Sequence, residues 1–220
     1  MKKRIGVLLS GCGFRDGAEI NEAVLTLLSI DLRGAEAVCM APDVEQAKVT
    51  NYLTGKNSDE KRNVLMESAR IARGKITNLK DVKPENLDAL ILPGGSGSTI
   101  NFMDRSNPDQ KPTDLIPEVK RLIQKIHSKG KPIGAICIAP KTVALALKEN
   151  APEVTIGDCK RTSAEIEAMG AIHVKCAVDE IHIDEKNKIV STPAYMLGPG
   201  IKDVYSGIDK LVETVIGLCK

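Results

Sequence analysis

Cys137 closes the apolar run Pro132-Ile-Gly-Ala-Ile-Cys137 and is followed at once by Ile138-Ala-Pro-Lys141. A strand that turns abruptly into a helix around one residue needs small side chains two positions before and after it. Here those positions hold Ala135 and Ala139, the logic of a nucleophile elbow with cysteine as nucleophile. Pro140 suits the first helical turn, where its missing N–H costs nothing. A thiol at such a helix N-terminus meets free backbone N–H groups and the positive end of the dipole, which lower its pKa. The same pattern also fits a buried cysteine at a strand end, a common place for this residue type. Local pattern alone leaves both readings open.

Other stretches could complete a site. Pro93-Gly94-Gly95-Ser96-Gly97 ends a strand, and adjacent glycines there expose N–H groups able to stabilise an oxyanion beside a nucleophile. Glu19 lies in the first turn of a helix, with Asp16 and Glu22 nearby. An acid there ordinarily compensates the helix dipole, and a chemical role needs a partner that the local pattern does not supply. Gly11-Cys-Gly13-Phe-Arg-Asp-Gly17 imitates a dinucleotide fingerprint, but its third glycine is one residue late and no acidic residue ends the second strand cleanly. It reads as a tight turn. His127 lies near a helix end, as a solvated or dipole-compensating residue, and His173 and His182 fall on late strands. His173 and Cys176 stand three apart on a strand and so face opposite sides, a poor start for a metal site. No metal or cofactor is expected.

The bulk composition points to a small-molecule partner. The 220 residues suffice for one domain spanning 1–220 with a proper core. Net charge is +2, from 31 basic and 29 acidic residues, without the basic field that nucleic acid requires. Three tyrosines, two phenylalanines and no tryptophan make a base-stacking platform unlikely to form. The six cysteines never occur as C-x-x-C and read as reduced thiols of a cytosolic protein. Leu9-Ser-Gly-Cys12 imitates a lipoprotein box, but the apolar stretch Ile5-Gly-Val-Leu-Leu9 is shorter than the roughly 7–15 residues of a signal peptide's apolar region. It reads as a first strand. No run approaches the roughly 18 apolar residues of a membrane span.

Strand and helix patterns alternate along the chain. Strands are expected at Arg4–Ser10, Glu36–Ala41, Leu87–Leu92, Ile133–Ile136, Val154–Ile156, Ile172–Val174, Glu180–Asp184 and Lys188–Thr192, the last two as a hairpin. Helices are expected at 17–33, from about Val64 to Gly74, at Glu118–Lys129, from about Pro140 to Lys148, from an N-cap at Ser163, and from Ile201 to the end. The first is marked by Ile20, Ala23, Val24, Leu27, Leu28 and Ile30 at the 3.6-residue period. Residues 44–61 look irregular, and 99–116 form a long polar loop of the kind that is usually functional or mobile. This alternation argues for a doubly wound, mostly parallel α/β sheet sandwiched by helices, with a small late hairpin. Ligands of such sheets bind at the carboxyl ends of the strands, here residues 10–19, 93–98 and 137–140.

Gly134-Ala-Ile-Cys-Ile-Ala-Pro140, Leu92-Pro-Gly-Gly95 and Asp16-Gly-Ala-Glu19-Ile together resemble the PfpI-like, class I glutamine-amidotransferase-like superfamily. That group includes intracellular peptidases, chaperones, deglycases and cofactor-free glyoxalases. Ser10-Gly-Cys-Gly-x-x-Asp-Gly, Asn51-Tyr-Leu-Thr-Gly55, Ala69-Arg-Ile-Ala-Arg-Gly74, Ile166-Glu-Ala-Met-Gly170 and Thr192-Pro-Ala-Tyr-Met196 are similar to its ElbB-like branch, named for isoprenoid biosynthesis and described as glyoxalase-like. The resemblance spans nearly the whole chain. It implies a flavodoxin-like sandwich, usually homodimeric, with Cys137 as nucleophile and Glu19 as its partner carboxylate. Gly94, Gly95 and Ser96 would form the oxyanion-side turn, together with the amide of Ile138. Protease-like members carry a histidine directly after the cysteine, where this chain has Ile138. Others carry one after the next strand, where it has Ile156-Gly157-Asp158. The resemblance therefore implies aldehyde rather than peptide chemistry: a glyoxalase acting on methylglyoxal or glyoxal without cofactor, with Glu19 as proton shuttle. A non-catalytic or redox-responsive binding or chaperone protein is the alternative.

Overall fold

The computed structural model describes residues 2–107 and 109–220. In chain order the elements are β1 (Arg4–Leu8), α1 (Ile20–Leu32), β2 (Glu36–Ala41), β3 (Val49–Thr50), β4 (Asn57–Ser58), α2 (Val64–Ile71), β5 (Thr77–Asn78), β6 (Ala89–Leu92) and α3 (Gly97–Ile100). They continue with α4 (Pro117–Ser128), β7 (Ile133–Ile136), α5 (Pro140–Ala146), β8 (Glu153–Val154), α6 (Lys160–Ala168), β9 (Ile172–His173), β10 (His182–Asp184), β11 (Ile189–Thr192) and α7 (Ile201–Gly217). Seven strands form one sheet in the order β10-β11-β7-β6-β1-β2-β5. Only β10 runs antiparallel, paired with β11 as the expected hairpin.

The central strands are short and, apart from Arg4 at the start of β1, apolar, because both faces are covered, as parallel sheets require. One face carries Leu8, Leu90, Leu92 and Ile133 against Leu122, Ile123 and Ile126 of α4 and Val143 of α5. The other carries Ile5, Val7, Ile91 and Val190 against Ala23 and Ile30 of α1 and Ile208, Leu211 and Val215 of α7. The mostly parallel sandwich with a late hairpin is thus the observed architecture.

Several expectations change in detail. The stretch 44–61, expected to be irregular, contains the β3–β4 hairpin, with Val49 opposite Ser58. β8 and β9 form their own two-stranded parallel sheet. Cys159, not Ser163, caps α6; the Ser163 hydroxyl instead donates back to the Cys159 carbonyl at 3.0 Å. In the 99–116 stretch, whose residue 108 lies outside the described residues, Phe102 and Leu115 are buried against the α4 face.

The most consequential change concerns α1. Its buried residues are Glu22, Ala23, Thr26, Ser29 and Ile30, whereas Ile20, Val24, Leu28 and Leu32 are exposed. Half of the apolar period read from the sequence therefore marks the outer face. The inner face is largely polar: the Thr26 hydroxyl donates to the Glu22 carbonyl at 2.7 Å, while the Glu22 carboxylate takes its donors from the distant Gly94 and Tyr195 amides.

Candidate active site

Cys137 stands at the carboxyl end of β7 with a left-handed backbone, φ 60°. Such a conformation costs a non-glycine residue roughly 1–3 kcal/mol and persists only where its surroundings over-determine it. The surroundings are visible. The Cys137 N–H donates to the Thr192 carbonyl at 2.9 Å, and Ala139 N–H closes the turn onto Ile136 at 3.0 Å. Ala135 and Ala139 are completely buried, the space requirement expected of an elbow. The side chain is 7 % exposed, at the base of a cleft of about 550 Å³.

The partner of the thiol is Glu22. The two side chains flank Gly94, with Cys137 Cβ and Glu22 Oε2 each 2.5 Å from where a Cβ on that glycine would stand, and Glu22 is completely buried. Main-chain donors hold both carboxylate oxygens: Gly94 N–H reaches Oε2 at 2.9 Å and Tyr195 N–H reaches Oε1 at 3.3 Å. Burial, and then the neighbouring charge of Glu19, push the Glu22 carboxyl up to about 8. Burial also pushes the Cys137 thiol well above its ordinary value, and Glu22 adds to that. The nearby main-chain N–H groups of Gly95 and Ile138 pull the other way. A deep thiol and a deep carboxyl thus compete for protons with only amide donors around them.

Glu19, expected to partner the thiol, has a different place. It is the N-cap of α1, and its Oε2 accepts the Glu22 N–H at 2.6 Å. Shorter side chains usually do this job, and glutamate manages it by curling back. It also lines the cleft beside Cys137. Half-burial raises its pKa, against the lowering effect of the helix amides. One turn of α1 therefore supplies both carboxyl groups, one under the sulfur and one facing the cleft.

The glycine turn has two distinct functions. Gly94 is the spacer between thiol and acid: a Cβ there would lie 2.5 Å from both Cys137 Cβ and Glu22 Oε2. Gly95, at φ +92°, would place a Cβ 2.4 Å from the Glu19 nitrogen. The amides of Gly94 and Ser96 are already committed, to Glu22 and to the Phe14 carbonyl (2.8 Å). Of the expected oxyanion group, only the Gly95 and Ile138 amides face the reacting sulfur. Ser96 and Ile138 line the cleft, along with Phe14, Tyr195 and Met196.

The glycine-rich turn of residues 11–17 serves this arrangement structurally. Gly97 N–H donates to the Gly17 carbonyl at 2.9 Å, and Glu19 N–H to the Gly94 carbonyl at 2.9 Å, lacing the turn after β1 to the turn after β6. Among the described residues no lysine, arginine or histidine lines the cleft. His127 meets Asn187 at 3.1 Å, His182 meets Glu153 at 3.1 Å, and His173 faces the Ile156 amide at 3.4 Å. All six cysteines are free thiols.

Glu22 is the residue that sequence reasoning passed over. Its signal lay in the arrangement of α1: once the stripe at 20, 24, 28 and 32 is set outside, position 22 turns inward beneath the elbow.

Comparison with known proteins shows the family of the chain and its fold. Residues 63–171 match the DJ-1/PfpI family. The chain is 41% identical to the rat ES1 protein homolog, mitochondrial, over 99% of this chain and 84% of that one. It is 42% identical to the human glutamine amidotransferase-like class 1 domain-containing protein 3, mitochondrial, over 98% and 83%. A crystal structure of an isoprenoid biosynthesis protein with amidotransferase-like domain from Ehrlichia chaffeensis superposes with TM-score 0.90 at 36% identity, covering 98% of this chain and 99% of that one. Drosophila melanogaster DJ-1beta shares the fold, with TM-score 0.58 at 18% identity over 99% and 96%. The rat, human and zebrafish relatives are all named as mitochondrial proteins, which overturns the cytosolic expectation drawn from the reduced thiols. Among the described residues no helix is long and apolar enough to cross a membrane.

Proposed function

The chain belongs to the DJ-1/PfpI family, and we propose that its Cys137 cleft is a cofactor-independent glyoxalase centre that converts 2-oxoaldehydes such as methylglyoxal and glyoxal to 2-hydroxy acids. The family spans enzymes and chaperone-like proteins, so membership alone does not choose. The observation that carries the reading is the pairing of one thiol with two carboxyl groups of raised pKa, in a cleft with no histidine or cation. That set suits proton transfer between neighbouring carbons and provides little help for an amide leaving group.

Glu22, with a pKa of about 8, is matched to take the thiol proton near neutral pH. The sulfur adds to the aldehyde carbon, whose oxygen gains that proton, giving a hemithioacetal. As charge leaves sulfur, the Gly95 and Ile138 amides follow it to the new oxygen. Glu19 removes the proton from C1, forming an enediol, and returns a proton to C2. The product is a thioester of the 2-hydroxy acid, and water cleaves it to release the acid and the free thiol. Atoms balance with one water consumed and no external oxidant or reductant.

A redox-responsive role is less favoured, because sensing thiols are exposed and have lowered pKa values, whereas Cys137 is buried and raised. The exposed stripe of Ile20, Val24, Leu28 and Leu32 supports a homodimer packed through α1. At 1.5 Å per residue the stripe is about 18 Å long, enough for two copies to cross about a twofold axis.

The test is direct. Purified protein is incubated with methylglyoxal and a chelator, without glutathione, and lactate is followed. Lactate formation that disappears in Cys137→Ala and falls at least about a hundredfold in Glu19→Gln is expected; rates indifferent to both substitutions would refute the assignment.

A further inference from the structure

We propose that Tyr195 is a further catalytic residue, its hydroxyl donating to the second oxygen of the bound dicarbonyl, and that Asn21 is the positioning residue that holds it. This rests on the glyoxalase reading of the Cys137 cleft.

Tyr195 lies in the single turn Ala194–Met196 that follows β11, behind Ala194 in a left-handed backbone at φ 44°. Both of its ends are tied to the first turn of α1. Its main-chain N–H donates to Glu22 Oε1 at 3.3 Å, and its hydroxyl oxygen accepts from Asn21 Nδ2 at 2.9 Å. Asn21 stands between Glu19 and Glu22, so this one turn of helix fixes both carboxyl groups and the phenol.

A phenol that accepts from an amide keeps its own proton to give. Among the described residues that proton has no protein acceptor, and Tyr195 lines the cleft with Cys137 and Glu19. The other polar donors facing the reacting sulfur are the Gly95 and Ile138 amides. Those serve the oxygen on C1, next to the new C–S bond. When Glu19 takes the C1 proton, negative charge develops on the oxygen of C2, and the cleft offers no cation to receive it. The Tyr195 and Ser96 hydroxyls are the side-chain donors that line the cleft, and of the two only the Tyr195 hydroxyl is held in place, by Asn21. The reaction gains no new step; the hydroxyl stabilises the enediolate that the proton shift must pass through.

The experiment compares wild type, Tyr195→Phe and Asn21→Ala. Tyr195→Phe removes one oxygen and leaves the main-chain bond to Glu22 intact. Its kcat for methylglyoxal is expected to fall at least about tenfold with KM changed less than about threefold. Asn21→Ala should lose about threefold in kcat, since the hydroxyl remains but is no longer oriented. In both variants the rate of Cys137 alkylation by iodoacetamide, and its pH profile, should match wild type. A Tyr195→Phe kcat within twofold of wild type would overturn the proposal, and so would an equal loss in alkylation, which would mark a structural effect through Glu22. If wild type itself forms no 2-hydroxy acid, the glyoxalase reading fails separately. The affinity of Cys137 for methylglyoxal as a hemithioacetal then decides: about threefold weaker in Tyr195→Phe but unchanged for propanal supports the hydroxyl's role, and equal affinity overturns it.

Discussion

The Cys137 side chain and the Glu22 carboxyl face each other across Gly94, where a Cβ would lie 2.5 Å from both Cys137 Cβ and Glu22 Oε2. Neither is a conventional acid in this place. Burial is the largest cause for both, and it drives each toward its neutral form. The Glu22 proton is therefore held to about pH 8, and because the thiol is pushed well above its ordinary value the resulting anion rests on the carboxylate.

The pH dependence of catalysis follows from this pairing. With Glu22 as the base that receives the thiol proton, kcat/KM is expected to rise with pH and level off near about 8. In Glu22→Gln that inflection should vanish and the rate fall at least about tenfold. A profile that keeps its inflection in Glu22→Gln would assign the titration to another group.

The same carboxyl makes stability depend on pH. A folded pKa raised from 4.5 to about 8 means that the native state holds a proton the unfolded chain has already lost. Stability from this group is complete below pH 4.5 and is lost as pH rises through 8, by roughly 5 kcal/mol at most. Denaturant titrations at pH 5 and pH 8 should show this fall in wild type and a much smaller one in Glu22→Gln. Equal slopes in the two proteins would contradict a deeply protonated Glu22.

Gly94→Ala tests the spacer. Its Cβ would stand 2.5 Å from Cys137 Cβ and Glu22 Oε2 and 2.8 Å from the Ile136 carbonyl, so pocket and elbow must move apart. A loss of about 1–3 kcal/mol in stability, together with loss of lactate formation, is expected. A folded, fully active variant would show that the pairing is dispensable.

Thiol chemistry should rank the cysteines in a specific order. Cys159 lies at the N-terminus of α6, where the Thr162 hydroxyl, then main-chain N–H groups, hold its thiol below the ordinary value. Burial pushes Cys39, Cys176 and Cys219 up to about 11. Brief treatment with iodoacetamide at pH 7, followed by peptide mass spectrometry, should label Cys159 first and Cys137 later. Selective early labelling of Cys137 would favour a redox-sensing role over the proposed one.

The α1 stripe has its own test. Val24→Glu or Leu28→Lys places a charge in the exposed row and should shift sedimentation from dimer to monomer. An unchanged sedimentation coefficient would move the interface elsewhere.

The strand-end loops that carry chemistry were legible from pattern, because short apolar runs ending in Gly-Gly or Cys-Ile-Ala-Pro mark the carboxyl ends of parallel strands. Cys137, the Gly94-Gly95 turn and the nearness of the Glu19 helix all came from those signals. Glu22 did not, for a physical reason. The 3.6-residue period identifies apolar faces without saying which of them is buried within the same chain. In α1 the more apolar face is outside and the polar one lies under the elbow. The Tyr195–Asn21 bond, 174 residues apart in sequence, leaves no local trace at all. The late hairpin was readable because its turn separates two alternating runs, whereas the two-residue strands β3, β4 and β5 are too short to carry a period.

Mass spectrometry of protein quenched during turnover of methylglyoxal tests the central claim most directly. Wild type should carry one methylglyoxal equivalent on the peptide that contains Cys137, and Cys137→Ala should carry none there. Glu19→Gln should accumulate the adduct as hemithioacetal, because the carbon-to-carbon proton shift is blocked after the sulfur has added. Lactate formed with no adduct on Cys137, or adducts spread evenly over all six thiols, would contradict a reaction that runs through this thiol and its two carboxyl groups.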